Sequence, residues 1–546
     1  MEMTYQQERA KYLEHLSVGD ECNKSSKFTE LQSTPVFSLH AKYSWNAKGQ
    51  SSEPEEDFED IPFEQSSSTG PFAQSALLGH HSGEHEYIGK NEPIMLNTGA
   101  PNSTFICGSQ GSGKSYTLSC MLENCLLPDP DYGSVANPVA GLAFNYDAEG
   151  GDSLAEVATL CSRGIDVKVL VSASNFAKLK KKYMALPNAE QHLIVDTLAF
   201  RERDLDIDRM YKLMAFSETK NGTPLYEQVI AQVLRQMGMS GERFTMRAFE
   251  AKPEISLLDG QQKTMLAQRL QLLKSYLANY IGHDLEPKTD TFRIAPGTLT
   301  IVDLTDPFVN PATACTLFDI CLSLFKQKNA NTGTIVVLDE AHRYMNDSPA
   351  AAKFTDNLLT TVRMQRHTGT RVVIATQEPT ISEMLLDLCS TSIVHRFNSP
   401  AWFKMLKEHV AGASSLLLTE EESNQMFDDI TKLRVGESFV FSPTSFVCVN
   451  DQGEKKLGTE FMKMTTRRRK GVDSGKSKLA GEVKESTDDE EDAEEGGQAN
   501  GEDESKADGP GSAIPLRKKE STAPKQFSKK KGAAPMKWQG GRLVPV

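Results

Sequence analysis

The sequence has no long apolar run and no cysteine pattern typical of a metal site or a disulfide framework. No stretch of about eighteen apolar residues occurs in the chain, and its N-terminus has no apolar signal segment. The nine cysteines form neither a C-x-x-C pair nor the Cys/His spacing of a zinc site. Several of them lie in apolar segments, as buried thiols do. These absences predict an intracellular protein, cytoplasmic or nuclear, that works in a reducing compartment without membrane contact.

A basic balance is also lacking, because the formal net charge is −14. A protein that wraps DNA presents a basic surface overall, so the composition excludes that class. A ring that encloses a polymer needs Lys and Arg only along its pore. The run Lys178–Lys182 is a candidate for such a lining, and a solvated helix face is the more common explanation of such a run.

The two ends of the chain have few apolar residues. Residues 1–88 are rich in Ser, Glu and Gln, and 466–546 alternate basic and acidic clusters. Such segments cannot bury enough apolar surface to offset the entropy of ordering. We therefore predict disordered tails that can recruit protein partners, around one large domain over 89–465. The basic cluster Arg467–Lys470 also matches a nuclear import signal.

A short apolar run, 104–107, leads directly into a complete phosphate-binding pattern, G-x-x-x-x-G-K-[ST]. Glycines let backbone N–H groups approach phosphate oxygens. Lys114 would contact the β- and γ-phosphates, and the Ser115 hydroxyl would ligate Mg²⁺. The predicted nucleotide-binding residues are Gly108, Ser109, Gln110, Gly111, Ser112, Gly113, Lys114, Ser115 and Tyr116. Because a strand precedes the loop and an apolar helix follows it, we favour an ATP site over a chance match in a Gly/Ser-rich loop.

Two carboxylates follow a second apolar run, 334–338. This run predicts a buried parallel strand, and ligands of open α/β sheets bind at the C-terminal ends of such strands. Asp339 would hold the Mg²⁺ and Glu340 would polarise the attacking water. A second acidic residue here favours hydrolysis over phosphate transfer to a small molecule. The alternative is a pair of surface carboxylates at a strand end.

A third predicted strand, Arg371–Thr376, ends at Gln377. An amide at this place can sense the γ-phosphate or orient the attacking water. Arg363 and Arg366 precede the strand, and an arginine at a subunit edge can reach a neighbour's γ-phosphate. The alternative is that both arginines decorate a solvated helix.

These motifs, in this order, resemble the HerA–FtsK superfamily of hexameric P-loop ATPases, most closely its HerA-like branch and the related conjugation-system ATPases. The resemblance covers roughly 90–450 and rests on Pro93–Leu96, Phe105–Ser115, Phe144–Asp147, Gly297–Leu304, Leu338–His342, Ile374–Pro379 and Leu433–Phe439. It implies a homo-oligomer, hexameric in the family, with Arg363 acting in trans. Two departures are the lack of a convincing β-barrel before residue 90 and the turn formed by Asn145 and Tyr146.

The predicted fold class is α/β, a P-loop NTPase core sheet of the RecA/ASCE type with an inserted all-helical subdomain over about 175–295. One helical stripe in the insertion contains Leu266, Leu270, Leu273 and Leu277, and another contains Val229, Ile230, Val233, Leu234 and Met237. Such stripes are usually core.

Two functions stay open: an oligomeric ATP-hydrolysing motor acting on nucleic acid or another polymer, of which a DNA translocase or helicase is one type, and an ATP-binding switch or scaffold with slow turnover. A DEAH-box helicase is excluded because the acidic box lies too far from the phosphate loop.

Overall fold

The computed structural model describes residues 28–50, 71–148, 154–213, 225–240, 244–256, 258–278, 290–378, 381–410, 419–450, 453–472, 536–539 and 542–545. Contacts divide the chain into two units, Met1–Lys478 and Leu479–Val546. In the second unit the described residues form a two-stranded antiparallel hairpin. All of the predicted site residues belong to the first unit.

The strands of the first unit are β1 (Val36–Ser38), β2 (Ser75–His81), β3 (Pro93–Asn97), β4 (Ser103–Cys107), β5 (Gly133–Ser134), β6 (Ala140–Asn145), β7 (Val167–Val171), β8 (Leu193–Thr197), β9 (Leu299–Asp303), β10 (Thr334–Leu338), β11 (Thr370–Thr376), β12 (Thr391–His395), β13 (Glu437–Phe441), β14 (Phe446–Asn450), β15 (Gly453–Lys456) and β16 (Met462–Thr466). The hairpin of the second unit is β17 (Met536–Gln539) and β18 (Arg542–Pro545).

The helices are α1 (Leu39–Gln50), α2 (Lys114–Leu126), α3 (Phe176–Tyr183), α4 (Ala189–His192), α5 (Ile207–Leu213), α6 (Leu225–Met239), α7 (Met246–Glu250), α8 (Pro253–Ser256), α9 (Gly260–Lys274), α10 (Pro311–Lys328), α11 (Pro349–Arg363), α12 (Gln365–Thr368), α13 (Glu383–Leu388), α14 (Pro400–His409) and α15 (Glu420–Lys432).

One 16-stranded sheet organises the first unit, in the order β15-β14-β1-β3-β2-β16-β13-β12-β4-β11-β10-β6-β9-β7-β8, with β5 paired to β2. From β12 to β8 every neighbouring pair is parallel. In the other half the pairs are antiparallel, except that β1 and β14 run parallel. The predicted α/β P-loop NTPase core is confirmed by this parallel half.

The central strands form because their residues are apolar and buried on both faces, as in parallel sheets covered by helices. Every residue of β4, β10 and β11 is buried. Side-chain caps define the starts of the covering helices, since Asn310 accepts from Thr313 N before α10 and Ser348 accepts from Ala351 N before α11. Proline occupies the first turn of both helices, where its missing N–H costs no hydrogen bond.

The insertion between β7 and β9 is not purely helical, which corrects the sequence prediction. Its first part, after α3 and α4, adds β8 as a parallel edge strand beside β7. The helices α5 to α9 follow, and their buried side chains include Ile230, Val233, Leu234 and Leu266. These stripe residues are thus core, as expected, whereas the side chain of Leu273 lies outside the described residues. The strand was missed because Leu193–Thr197 has only five residues and lies in a segment whose other elements are helices.

The predicted domain boundary at residue 88 is wrong for part of the N-terminal region. β1 pairs with β3 and β14, and β2 pairs with β3 and β16, so both strands belong to the sheet. They were missed because β1 is three residues long and its neighbours in space are far away in sequence. At the other end, β16 reaches Thr466 and the described chain continues to 472. The rest of the predicted tails, 1–27, 51–70 and most of 473–546, lies outside the described residues.

No helix among the described residues is long and apolar enough to cross a membrane. In the same part of the chain the cysteines form no disulfide.

Candidate nucleotide-binding and hydrolysis site

The phosphate loop connects β4 to α2, and its shape depends on two glycines. Gly111 and Gly113 adopt φ angles of 71° and 107°, a region that L side chains rarely enter. A Cβ on Gly113 would lie 2.9 Å from the backbone nitrogen of Gly436, so the loop also packs too closely there for a side chain. Gln110 and Gly111 are exposed, whereas Ser112 is buried. The loop therefore presents its backbone to solvent on one side and rests on the fold on the other.

Lys114 is the first residue of α2 and points into the site. Its side chain is buried, and its Nζ donates a 3.2 Å hydrogen bond to the Ser109 carbonyl. Burial lowers the pKa of Lys114, and the nearby charges of Glu340 and Asp339 oppose that decrease. The predicted phosphate-binding ammonium and the predicted acidic pair thus lie in one electrostatic environment. Ser115 and Tyr116 follow on the first turn of α2, both half-buried.

Strand order brings Gln377 between the phosphate loop and the acidic pair. β11 lies between β4 and β10 in the sheet. Thr376 is opposite Cys107 on one side, and Ile374 is opposite Leu338 on the other. Because parallel strands end at one edge, the residues that follow them converge, as the sequence predicted.

Asp339 is buried, and its Oδ1 accepts a 3.0 Å hydrogen bond from the Glu340 backbone N–H. Burial, and then the charges of Glu340 and Glu156, raise the pKa of Asp339 to about 7. A carboxylate held among negative charges in this way is suited to a divalent cation, which would supply the missing positive charge. Ser115 and Asp339 fit a Mg²⁺ that takes its other ligands from phosphate oxygens and water.

Glu340 has a left-handed backbone with φ 45°, which is unusual for a residue other than glycine. Its Oε1 accepts a 2.8 Å hydrogen bond from Gln377 Nε2, and its Oε2 lies 3.4 Å from His342 Nδ1. Burial lowers the pKa of His342. Backbone strain of this kind costs of order 1–3 kcal/mol and is concentrated at functional sites. The hydrogen bond from Gln377 places the side chains of Glu340 and Gln377 in direct contact.

Three neighbours of the phosphate loop had not been predicted. The carbonyl of Arg396 accepts from both the backbone N–H and the hydroxyl of Ser109, at 2.8 and 2.9 Å. Gly436 N donates to Ser112 O at 3.1 Å. His395 is buried beside the loop, where a Cβ on Gly108 would lie 2.7 Å from the His395 Cβ. The sequence signal that could have found His395 is its place at the end of the buried strand β12, because the other site residues also follow the ends of buried parallel strands.

The structure does not bring Arg363 to the phosphate loop of its own chain. Arg363 is the last residue of α11, and only α12 separates that helix from the start of β11. Arg363 therefore lies near the N-terminal end of β11, whereas Gln377 follows the C-terminal end of the same strand. Arg363 and Arg366 are both exposed. A role for either residue in hydrolysis therefore requires a second subunit.

No protein-family model matches the chain, and no curated protein matches it. Solved structures do. VirB4 of Thermoanaerobacter pseudethanolicus is 10% identical over 72% of this chain and 96% of its own, with a TM-score of 0.44. The pCW3 conjugation coupling protein TcpA, in its monomer form with ATPγS, is 14% identical over 72% and 65%, with a TM-score of 0.26.

The genome packaging NTPase B204 of Sulfolobus turreted icosahedral virus 2, in complex with AMPPCP, is 9% identical over 65% of this chain and 96% of its own, with a TM-score of 0.25. This chain has the P-loop NTPase fold, as the parallel half of its sheet and the phosphate loop between β4 and α2 show. The resemblance to HerA–FtsK ATPases that the motif order predicts stays a prediction, because structures this distant do not establish a superfamily. Similarity at these identities and TM-scores says nothing about the activity, the polymer or the assembly of this chain.

Proposed function

We propose that the protein is an oligomeric ATPase of the HerA–FtsK type that uses ATP hydrolysis to move or remodel a polymer. The observation that carries this proposal is the contact between Gln377 and Glu340 within the charge environment of Lys114 and Asp339. A protein that only binds nucleotide has no need for a second carboxylate held by an amide. The alternative, a switch or scaffold with slow turnover, is less well supported because all of these residues are intact.

The residues divide into binding and reaction roles. The loop Gly108–Ser115 would surround the phosphates with backbone N–H groups, and the positive end of α2 adds to their attraction for anions. Lys114 would place its ammonium on the β- and γ-phosphates. A bound Mg²⁺, held through Ser115 and Asp339, would neutralise charge on the transferred phosphoryl group.

Hydrolysis then depends on Glu340 and Gln377. The Glu340 carboxylate would accept a proton from the attacking water, which is general-base catalysis. The Gln377 amide fixes one carboxylate oxygen, so the other is available for the water. The Gln377 amide contacts Glu340 and lies between the phosphate loop and the acidic pair. From this position it would also respond to the presence of the γ-phosphate.

We further propose that the active site is shared between subunits, with Arg363 from a neighbour stabilising the transition state. The support is that Arg363 is exposed and lies near the N-terminal ends of the parallel strands, away from its own phosphate loop. A homo-hexamer follows from the family resemblance. The polymer is nucleic acid by the same analogy, and the tails are candidate sites for protein partners in an intracellular, cytoplasmic or nuclear setting.

Solution mass and turnover test this proposal together. The mass should increase from monomer to oligomer on adding ATP with Mg²⁺. Phosphate release should be measured without polymer, with single-stranded DNA and with double-stranded DNA, each at several salt concentrations. Stimulation that decreases with salt supports nucleic acid as the polymer. Lys114→Ala is the inactive control. ATP binding without turnover in any of these conditions would favour the switch.

A further inference from the structure

In the basic cluster Arg467–Lys470, the side chains of Arg467 and Arg469 are buried in the fold, whereas Arg468 and Lys470 are exposed. The Arg467 side chain is 3% exposed and donates to Glu123 Oε2 and Asn124 Oδ1, both at 2.9 Å. Its Nε also donates to the Leu77 carbonyl at 2.9 Å. Because Glu123 and Asn124 belong to α2, this arginine fixes the helix that begins at the phosphate loop.

Arg469 lies nearer to the start of the same helix, with a side chain that is 1% exposed. Its Nη2 donates a 2.9 Å hydrogen bond to Thr159 Oγ1. Its Nε lies 3.6 Å from Glu123 Oε1, and its Nη1 lies 3.7 Å from Glu156 Oε1. Nε and Nη1 have no hydrogen-bond partner among the described residues. The guanidinium is thus a buried positive charge placed between two carboxylates, close to both and tightly bonded to neither.

Two contacts connect Arg469 with the nucleotide site. Its backbone N–H donates a 2.7 Å hydrogen bond to the phenol oxygen of Tyr116, and its guanidinium lies 5.5 Å from the centre of that ring. Tyr116 follows Lys114 and Ser115 on the first turn of α2. Glu156, the partner of Arg469, also acts on the site by its charge, which opposes the lowering of the Lys114 pKa by burial and adds to the rise of the Asp339 pKa that burial causes.

We propose that Arg469 is a positioning residue for ATP binding, which neutralises Glu156 and holds Tyr116 so that the phosphate loop presents a positive field to the triphosphate. This inference rests on the proposed function. It adds Arg469, which lies outside the recognised motifs and acts on the same site through Glu156 and Tyr116.

The charge balance around the loop gives the reason. A triphosphate brings several negative charges to a place that already has the acidic side chains of Glu156, Glu340 and Asp339 around it. Arg469 offsets one of them from a buried position, where the interaction is little screened. Without Arg469, Glu156 would repel the nucleotide. We expect the Kd for ATP to increase about tenfold or more in Arg469→Ala, which is within the usual range of coupling between sites.

A charge-removal cycle tests the inference, with ATP binding measured by calorimetry and KM and kcat measured separately. Arg469→Ala should raise Kd and KM more than it changes kcat. Glu156→Gln alone should bind ATP at least as tightly as wild type. The double variant Arg469→Ala/Glu156→Gln should recover most of the lost affinity, because the repelling charge is gone. Arg469→Lys should retain part of it. Arg468→Ala is the matched control, since Arg468 is exposed, and it should bind like wild type.

The outcomes separate this inference from the proposed function. If wild type and Lys114→Ala bind and turn over ATP alike, the proposed ATPase is wrong. If wild type is active but Arg469→Ala binds ATP normally, the positioning role is wrong. It is wrong also if the double variant binds as weakly as Arg469→Ala, because a purely structural loss does not depend on the charge of Glu156. Should Arg469→Ala fail to fold, Arg469→Gln with and without Glu156→Gln provides the same comparison.

Discussion

Gln377 Nε2 donates a 2.8 Å hydrogen bond to Glu340 Oε1, which joins the residue after β11 to the residue pair after β10. The two strands are neighbours in full parallel register. The amide therefore determines where the carboxylate points, and the strained backbone of Glu340 fixes the position from which it reaches. The position of the Glu340 carboxylate therefore depends on the C-terminal ends of both β10 and β11.

Removing the Gln377 amide should slow hydrolysis while leaving ATP bound. In Gln377→Ala the carboxylate of Glu340 loses its partner, so we expect kcat to fall by about 10²-fold, in the range typical of general-base catalysis. The Kd for ATP should change little. Single-turnover phosphate release and equilibrium binding measure the two quantities. Gln425→Ala, which removes an amide on exposed α15, is the control and should behave like wild type. An equal loss of binding would show that Gln377 contacts ATP in the ground state.

Lys114 and Glu340 should have separable effects. Lys114→Ala removes the ammonium that contacts ground-state phosphate, so we expect loss of ATP binding. Glu340→Gln keeps a side chain of the same size and removes only the base, so ATP should stay bound while hydrolysis slows by about 10²–10⁴-fold. Calorimetric binding together with phosphate release distinguishes the two. Equal loss of binding in both variants would contradict the assignment of Glu340 as base.

The central strands and their terminal residues could be predicted because they are local patterns. The strand before Asp339 and Glu340 was predicted over 334–338 with the observed bounds, and the predicted strand Arg371–Thr376 differs from β11 by one residue. The phosphate loop is likewise one continuous pattern. Parallel strands that share an edge then bring Gln377 to Glu340 without any further information.

Features that depend on distant contacts were missed. β1 has three residues, and it is a strand only because β3 and β14 border it. The cluster Arg467–Lys470 reads as solvated by composition, yet Arg467 pairs with the Glu123 carboxylate on α2, and the guanidinium of Arg469 lies over the ring of Tyr116. Ion pairs between residues more than 300 positions apart leave no periodic signal in the sequence.

Truncation from the N-terminus should be tolerated only up to the first strand. Removing 1–85 deletes β1 and β2 and leaves β3 without both of its antiparallel neighbours. We expect no cooperative unfolding transition for this variant, because the exposed strand edges and apolar surface are not replaced. Removing 1–27 together with 473–546 should preserve both the transition and ATP turnover, as low hydrophobicity predicts. Circular dichroism melts measure the first effect, and a folded 86–546 protein would contradict it.

Acid should destabilise the fold partly through His395. Its ring is buried, with Nε2 3.1 Å from Thr117 Oγ1 and Nδ1 3.0 Å from the Glu437 carbonyl, so Nδ1–H donates and Nε2 accepts. Burial lowers the pKa of His395 from 6.5 to about 4. Between these values the unfolded chain binds a proton that the folded chain does not, so the free energy of unfolding falls as the pH decreases.

The measurement is urea unfolding at pH 7 and pH 4.5 for wild type and His395→Gln, which cannot titrate. Wild type should lose more stability on acidification than the variant, by on the order of 2 kcal/mol. The comparison cancels the effect of other buried groups, such as His81 and His342. Equal losses in both proteins would show that His395 does not titrate in this range.

The shared active site makes the sharpest prediction about assembly. Arg363 is exposed and lies at the sheet edge away from its own phosphate loop, so it can act only on a neighbour's ATP. Arg363→Ala should bind ATP normally but turn over poorly, since such arginines contribute about 10³–10⁵-fold to the rate in other phosphoryl-transfer enzymes. Arg366→Ala is the matched variant three residues away and becomes the second candidate if Arg363→Ala is silent.

Mixing then distinguishes a trans-acting arginine from a residue that merely supports folding. Arg363→Ala and Glu340→Gln are each nearly inactive alone. In a mixed oligomer, some interfaces pair an intact Glu340 from one subunit with an intact Arg363 from the next, so part of the activity should return. A site contained in one subunit cannot gain from mixing, because every chain carries one defect. Turnover per chain that stays constant on dilution to a proven monomer would contradict the shared site, since a monomer has no neighbour to supply the arginine.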